Sequence, residues 1–205
     1  MQPRPGNFFP TFEELFRTQS TLVTEPGNGT LEIFALPTDT EFLQTLITDV
    51  FQNYWDQIHF GTAVQGAVWE VRAPNAPRRI SLSDGYLTVD FGHWHFHLCI
   101  GEHRGPRNNP ASEELARHRR TARAELYRRL REDGCPSSWG LRLFNGKDEQ
   151  QMTVFLPNPY LTVEQKVLKE PRWAHLAMWD HLRETYLGLD PDPLDREASR
   201  RVCGG

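Results

Sequence analysis

A histidine-rich stretch, FGHWHFHLCIGEH at residues 91–103, is the part of the sequence best suited to chemistry. Side chains at i and i+2 of a strand lie on the same face. If the stretch is a strand, one face carries nitrogen and sulfur donors: His93, His95, His97 and Cys99. The opposite face is apolar: Trp94, Phe96, Leu98 and Ile100. We therefore interpret the donor row as a candidate site. A half-exposed polar strand is the alternative.

Histidines two residues apart on a strand can supply two ligands to one metal ion. A third ligand could come from the remaining members of the row or from its neighbours, namely His97, Cys99, His103 or Asp90. Histidines that bind no metal could donate protons near neutral pH. Our candidate catalytic residues are accordingly His93, His95 and His97.

Two further histidines, His175 and His181, fall in a predicted helix near the end of the chain. Small residues, including Ala174 and Ala177, share a stripe with His181 and leave room for a flat group. His175 lies instead among large apolar residues. A haem iron needs only one or two such axial ligands. We predict that an iron would be bound by His181, His175 or His97, although either helical histidine alone fits an ordinary surface or core position.

Arginine is the dominant cation, with 20 Arg against 3 Lys. Guanidinium groups form paired hydrogen bonds with phosphate and carboxylate groups. The predicted cofactor contacts are Arg104, Arg107, Arg120 and Arg123, with aromatic walls from Trp94, Trp139 and Trp173. A solvated helix face is the alternative for these arginines.

The elements that must position these residues alternate between helix and strand. Helices are predicted at 12–18, 38–55, 112–132 and 162–187, and strands at 31–36, 66–72, 79–83 and from 86 through the histidine row. A hairpin is predicted at 139–156, and Asp84-Gly85 predicts a tight turn. Residues 1–10 and 190–205 are predicted to be irregular. This order indicates one α+β domain over residues 1–205, an antiparallel sheet with flanking helices.

The composition and motifs of the chain argue against several functional classes. The chain has 205 residues, 24% of them charged, and a net charge of −4, which argues against a general nucleic-acid binder. No apolar run reaches the roughly 20 residues of a membrane span. The N-terminus lacks a signal-peptide layout, and three cysteines form no disulfide framework, so a cytoplasmic location is expected. Neither GxGxxG nor GxxxxGK[ST] occurs, and no nucleophile–base pairing stands out.

The strings GHWHFHLCIGEHRGP and SWGLRLFNGKDEQQMTVFLPNPY resemble a small bacterial family that includes haem-binding proteins. They are similar to the flavocytochrome oxidase associated with the iron-only nitrogenase. The resemblance extends over residues 31–187. It implies haem b and FAD in one small domain, with oxygen reduced by electrons from a reduced nicotinamide or another low-potential donor. It also implies protection of an oxygen-sensitive enzyme such as nitrogenase.

Two alternatives stay open at this point. The first is a mononuclear metalloprotein, either a Zn hydrolase or an Fe(II) oxygen enzyme, that uses the row His93, His95 and His97 directly. The second is a non-catalytic haem carrier or sensor. No nucleic-acid or membrane partner is expected, whereas a homodimer is compatible with all three interpretations.

Overall fold

Ten strands and four helices are present in the part of the chain that the computed structural model describes, residues 20–64 and 66–197. The strands are β1 (Thr21–Glu25), β2 (Gly29–Leu36), β3 (His59–Val64), β4 (Ala67–Val71), β5 (Arg79–Ser83), β6 (Tyr86–Asp90), β7 (His95–Cys99), β8 (Thr121–Leu130), β9 (Pro136–Asn145) and β10 (Gln150–Phe155). The helices are α1 (Thr40–Asn53), α2 (Glu113–Arg119), α3 (Ala177–Leu187) and α4 (Leu194–Glu197). A 3-10 turn, Trp173–Leu176, precedes α3. The predicted α+β class is confirmed.

The strands form two antiparallel sheets. The large sheet has the order β1-β2-β8-β9-β10-β3-β4, and the small sheet has the order β5-β6-β7. One face of the large sheet packs with α1, α3 and the small sheet in a single hydrophobic core that includes Leu46, Val89, Leu126 and Leu182. We call the opposite face of the large sheet the cavity face. It carries His59, Tyr127, Gly140, Arg142 and Phe155.

Two of the predicted elements follow directly from local sequence. Helix α1 begins after Asp39, whose side chain accepts a hydrogen bond from the backbone N–H of Phe42, as expected for an N-cap. The hairpin between β5 and β6 turns at Asp84 (φ 46°) and Gly85 (φ 78°), the positive angles that a two-residue turn requires. The strand at 31–36 and the hairpin at 139–156 are also confirmed.

The helix predicted over 112–132 is wrong in its second half. Helix α2 ends at Arg119, and Thr121–Leu130 is the strand β8, which pairs with β2 on one side and β9 on the other. Ala124 and Leu126 point to the core, while Glu125 and Tyr127 point to the cavity face. The prediction failed because both faces of β8 are buried, so the sequence lacks a clear alternation of apolar and polar residues.

The histidine row is not one continuous strand. Strand β6 ends at Asp90, and the chain turns at Gly92 (φ 92°) before β7 begins at His95. Glycine permits this positive φ, which other residues rarely adopt. His93 therefore lies in the turn, outside the row. The apolar face is as predicted, since Leu98 and Ile100 are buried.

The predictions for residues 162–197 also need correction. Residues 162–172 contain no helix, and the helical part begins only at Trp173. Residues 190–193 are irregular as predicted, but Leu194–Glu197 form the short helix α4, in which Asp195 is fully buried. The helix predicted at 12–18, the irregular residues 1–10 and the end of the chain after residue 197 lie outside the described residues. Strands β1 and β3 were not predicted.

Within the described ranges, no helix is long and apolar enough to cross a membrane.

Candidate functional site

A cavity of about 460 Å³ lies at the end of the large sheet, beside strands β3, β9 and β10. We call it the two-histidine cavity, because His59 and His175 both line it. Its apolar lining comes from β9, from β10 and from the segment that follows β10: Trp139, Phe155, Leu156, Pro157, Leu161 and Val163. Its volume falls within the range of about 300–1,000 Å³ that is typical of ligand sites.

His175 is held by a hydrogen bond between its Nδ1 and the backbone carbonyl of Asn158, at 2.9 Å. A carbonyl can only accept, so Nδ1 carries the proton and Nε2 has the lone pair that a metal ion needs. The carbonyl is itself fixed, since the Asn158 side chain donates to the carbonyl of Ser137 at 2.8 Å and accepts from the N–H of Tyr160 at 2.9 Å. Metal-binding histidines are commonly oriented in this way.

His59 is the second imidazole of the cavity, and its Nδ1 lies 3.4 Å from the side-chain nitrogen of Gln165. Burial lowers the pKa of His59, and the positive charge of Arg72 lowers it further. The ring is therefore biased toward its neutral form, which is the form that binds metal ions. Sequence reasoning missed His59 because it stands alone at the start of an unpredicted strand.

Trp139 joins the wall of the cavity to helix α4. Its indole N–H donates to Asp195 at 2.8 Å, and the indole of Trp179 donates to the same carboxylate, also at 2.8 Å. Tyr160 stacks against Trp139 with 6.4 Å between ring centroids, and Trp173 contacts Tyr160 edge-on at 6.1 Å. Of the three predicted tryptophans, Trp139 lines the cavity, whereas Trp173 packs against Tyr160 and is not a lining residue.

The third tryptophan, Trp94, packs in the core instead, with its ring centroid 4.6 Å from that of Phe91. The polar part of the lining includes Asp56, Gln57 and Glu70. Arg72 donates to the backbone carbonyl of Asp56 at 2.9 Å, which places a cation near His59.

Only two members of the predicted histidine row, His95 and His97, lie side by side on the protein surface. The rings of His95 and His97 lie 4.8 Å apart, and both side chains are exposed. His97 Nδ1 is 2.8 Å from the Thr88 hydroxyl. Cys99 is buried, and burial raises the pKa of its thiol.

Over the described residues, no three His, Cys, Asp or Glu side chains are grouped so that they could hold a metal ion. The structure thus provides no three-ligand set for a mononuclear metal site in the histidine row. The two His side chains that remain together, His95 and His97, lie on the open surface of the small sheet, away from the two-histidine cavity.

His181, the other predicted axial ligand, is engaged elsewhere. Its Nε2 lies 2.8 Å from a carboxylate oxygen of Asp49, and the Tyr186 hydroxyl donates to the same oxygen at 2.9 Å. Burial raises the pKa of Asp49, but hydrogen bonds from Asn53, His181 and Tyr186 outweigh it and lower the pKa. His181 would have to leave Asp49 to bind iron, so His175 is the better candidate.

None of the four predicted cofactor arginines lines the two-histidine cavity. Arg104 pairs with Glu102 at 3.2 Å on the surface, and Arg107 is exposed. Arg120 lies 3.5 Å from the carbonyl of Thr38. Arg123 pairs with Glu125 and Asp148 on β8 and the neighbouring turn. The predicted grouping of these arginines with Trp139 around one cofactor is therefore not seen.

Solved structures show partial likeness to the chain. One is the haem-binding protein ChuX, with 14% identity and a TM-score of 0.42, covering 66% of this chain and 68% of that one. A second ChuX structure has 14% identity and a TM-score of 0.41, covering 74% and 78%. A protein from Agrobacterium tumefaciens has 14% identity and a TM-score of 0.47, covering 74% and 71%. Likenesses of this size assign no ligand to this chain.

No curated protein matches the sequence significantly. A family match does cover most of the chain, from residue 20 to residue 188. The matched range contains all ten strands, helices α1 to α3 and both histidines of the cavity. The chain therefore belongs to DUF7676, a family of unknown function.

Proposed function

We propose that this protein binds haem b in the two-histidine cavity, with Nε2 of His175 as an axial ligand of the iron. The observation that carries the proposal is the hydrogen bond from His175 Nδ1 to the carbonyl of Asn158 within an apolar-walled cavity. That bond selects the tautomer and fixes the ring, which is what an axial ligand requires.

The second imidazole supports the same assignment. His59 lines the cavity and its lowered pKa favours the neutral ring, so it would be a second imidazole available to hold the iron. Trp139 and Phe155 supply apolar surface for the macrocycle. Arg72 is the cation near His59 and is our candidate partner for a propionate group. When bound, haem would supply an iron centre for electron transfer or for binding a small ligand.

Oxygen reduction through FAD and the protection of nitrogenase stay predictions of the sequence resemblance. Haem binding in this cavity is compatible with an oxidase, a carrier and a sensor. The visible absorbance spectrum of the purified protein tests whether it binds a flavin together with haem. An oxygen electrode, with NADPH, NADH or dithionite as donor, then decides between the oxidase and the carrier or sensor.

The test of haem binding is titration of the purified protein with haemin, followed by the Soret band and by the absorbance of the reduced form. We expect His175→Ala to lose the wild-type spectrum and to weaken haem binding at least about tenfold. His59→Ala should keep haem but shift the spectrum to that of iron with one axial histidine.

Three variants at residues that do not line the cavity serve as matched controls. His181→Ala and His97→Ala should retain the wild-type spectrum and haem affinity, as should Arg104→Ala. Circular dichroism confirms that each variant is folded. If folded His175→Ala and His59→Ala both bind haem with the wild-type spectrum, haem does not bind through this cavity.

A further inference from the structure

The two histidines of the cavity are oriented by partners of different kinds. Nδ1 of His175 faces the backbone carbonyl of Asn158 at 2.9 Å, whereas Nδ1 of His59 faces the side-chain amide nitrogen of Gln165 at 3.4 Å. A backbone carbonyl can only accept, but a side-chain amide carries two N–H donors on its nitrogen and an acceptor on its oxygen. The tautomer of His175 is therefore fixed, while that of His59 depends on which end of the Gln165 amide it meets.

The end of Gln165 that faces His59 in the structure is the donor. An amide nitrogen can only donate, so Nδ1 of His59 accepts, and the neutral ring carries its proton on Nε2. A protonated Nε2 has no lone pair for a metal ion. Turning the terminal amide of Gln165 by half a turn would place its oxygen beside Nδ1. The ring could then carry its proton on Nδ1 and leave the Nε2 lone pair free, as His175 already does.

Gln165 lies in a short hairpin, residues 161–168, that forms part of the cavity wall. A bridge between Leu161 and Val167 closes this hairpin. The backbone of Gln165 has φ 62°, in the left-handed region that residues other than glycine rarely adopt. Strained backbone of this kind is concentrated at functional sites. The hairpin residues that line the two-histidine cavity are Leu161, Thr162, Val163 and Gln165.

We propose that Gln165 is a positioning residue that controls whether His59 binds the iron, so that His59 is the exchangeable axial ligand and His175 the permanent one. This inference rests on the proposed haem binding. His175 binds without any change of tautomer. His59 must first release its Nε2 proton to solvent and take one up on Nδ1, with no change in net charge, while the Gln165 amide turns. Small exogenous ligands of the iron should therefore displace His59 and not His175.

The first test needs no haem. Nitrogen-15 NMR of the imidazole rings distinguishes a proton on Nδ1 from one on Nε2, and the spectra of His59→Ala and His175→Ala identify the two signals. In the wild type we expect the proton on Nε2 of His59 and on Nδ1 of His175. In Gln165→Glu the carboxylate can only accept, so the proton of His59 should move to Nδ1 while His175 is unchanged. A His59 with the same tautomer in both proteins would overturn the proposal.

The second test is cyanide titration of the haem-loaded protein, followed by its visible spectrum. Gln165→Glu holds the proton on Nδ1 and makes Nε2 more basic, so His59 should bind the iron more tightly and cyanide about tenfold more weakly. Gln165→Met removes the amide, so cyanide should bind about tenfold more tightly than to the wild type. A purely structural role of Gln165 would change both variants in the same direction. Glu164→Gln, an exposed change in the same hairpin, does not line the cavity and should leave cyanide affinity unchanged.

The outcomes separate this inference from the proposed function. If haem binds but the two Gln165 variants, shown to be folded by circular dichroism, have wild-type cyanide affinity or shift it in the same direction, Gln165 does not control His59. Haem binding itself would then still stand. A wild type that binds no haem would instead overturn the proposed function, and the role of His59 as a ligand with it.

Discussion

Trp139 and Asp195 are hydrogen-bonded at 2.8 Å although 56 residues separate them in the chain. The bond links the wall of the two-histidine cavity to helix α4. Asp195 is fully buried, and it also accepts hydrogen bonds from Trp179 and Arg128. The carboxylate is thus shared by two indoles and a guanidinium, which fastens the last described helix to the core.

Replacement of this carboxylate should be costly. Asp195→Ala leaves two buried indole N–H groups without their acceptor and removes one of the three carboxylates that bind Arg128, so we expect a loss of about 3–5 kcal/mol in the free energy of unfolding. Urea denaturation measures it. Glu197→Ala, an exposed change in the same helix, is the control and should stay within about 0.5 kcal/mol of wild type. Equal stability of the two variants would contradict the role of Asp195.

Gly140 should not tolerate a side chain. A Cβ at this position would lie 2.5 Å from the ring of Tyr127, which packs over it on the cavity face. We expect Gly140→Ala to cost about 1–3 kcal/mol through overpacking. In the double variant with Tyr127→Ala the added methyl group has space, so the two changes should be clearly less than additive. Strict additivity in thermal or urea unfolding would show that the ring does not restrict this site.

His59 should make stability sensitive to pH just below neutrality. Burial and Arg72 lower its pKa from the ordinary 6.5, so the unfolded chain binds this proton more readily than the folded one. Stability from this group is present above about pH 6.5 and falls as the pH drops toward the folded pKa. His59→Gln cannot bind the proton and should show a smaller decline in melting temperature between about pH 7 and pH 5.5. Parallel declines in the two proteins would contradict the prediction.

Glu25 should contribute to stability at higher pH and lose that contribution in acid. Arg142 donates to both of its carboxylate oxygens, each at 2.9 Å, and this contact lowers the pKa of Glu25 below the ordinary 4.5. The contribution is complete above about pH 4.5 and disappears as the pH falls through the lowered folded pKa. Glu25→Gln should cost about 1.5–3 kcal/mol at neutral pH and much less in acid.

The control for that experiment is Glu41→Gln, an exposed glutamate in the first turn of α1. It should change stability little at either pH. A Glu25→Gln variant that is equally destabilised at neutral and acid pH would mean that the loss comes from packing and not from the charged contact.

The sequence by itself determined the features that depend on neighbouring residues. The α1 helix follows from its capping aspartate and its apolar stripe, and the β5–β6 turn follows from Asp84-Gly85. The alternation of Phe96 and Leu98 with the exposed His95 and His97 predicted which side of β7 is the more buried. These features could be predicted because a cap, a turn or an alternation is complete within a few residues.

The tertiary structure alone decided the rest. Strand β8 is a strand because β2 and β9 pair with its two edges, while buried ion pairs such as Arg128–Asp195 remove the polar alternation that would reveal it. His59 and His175 line one cavity although they are distant in the chain, and only His175 was a predicted ligand. Whether a residue is buried, and which groups it contacts, depends on segments that are distant in the chain, so neighbouring residues alone do not reveal it.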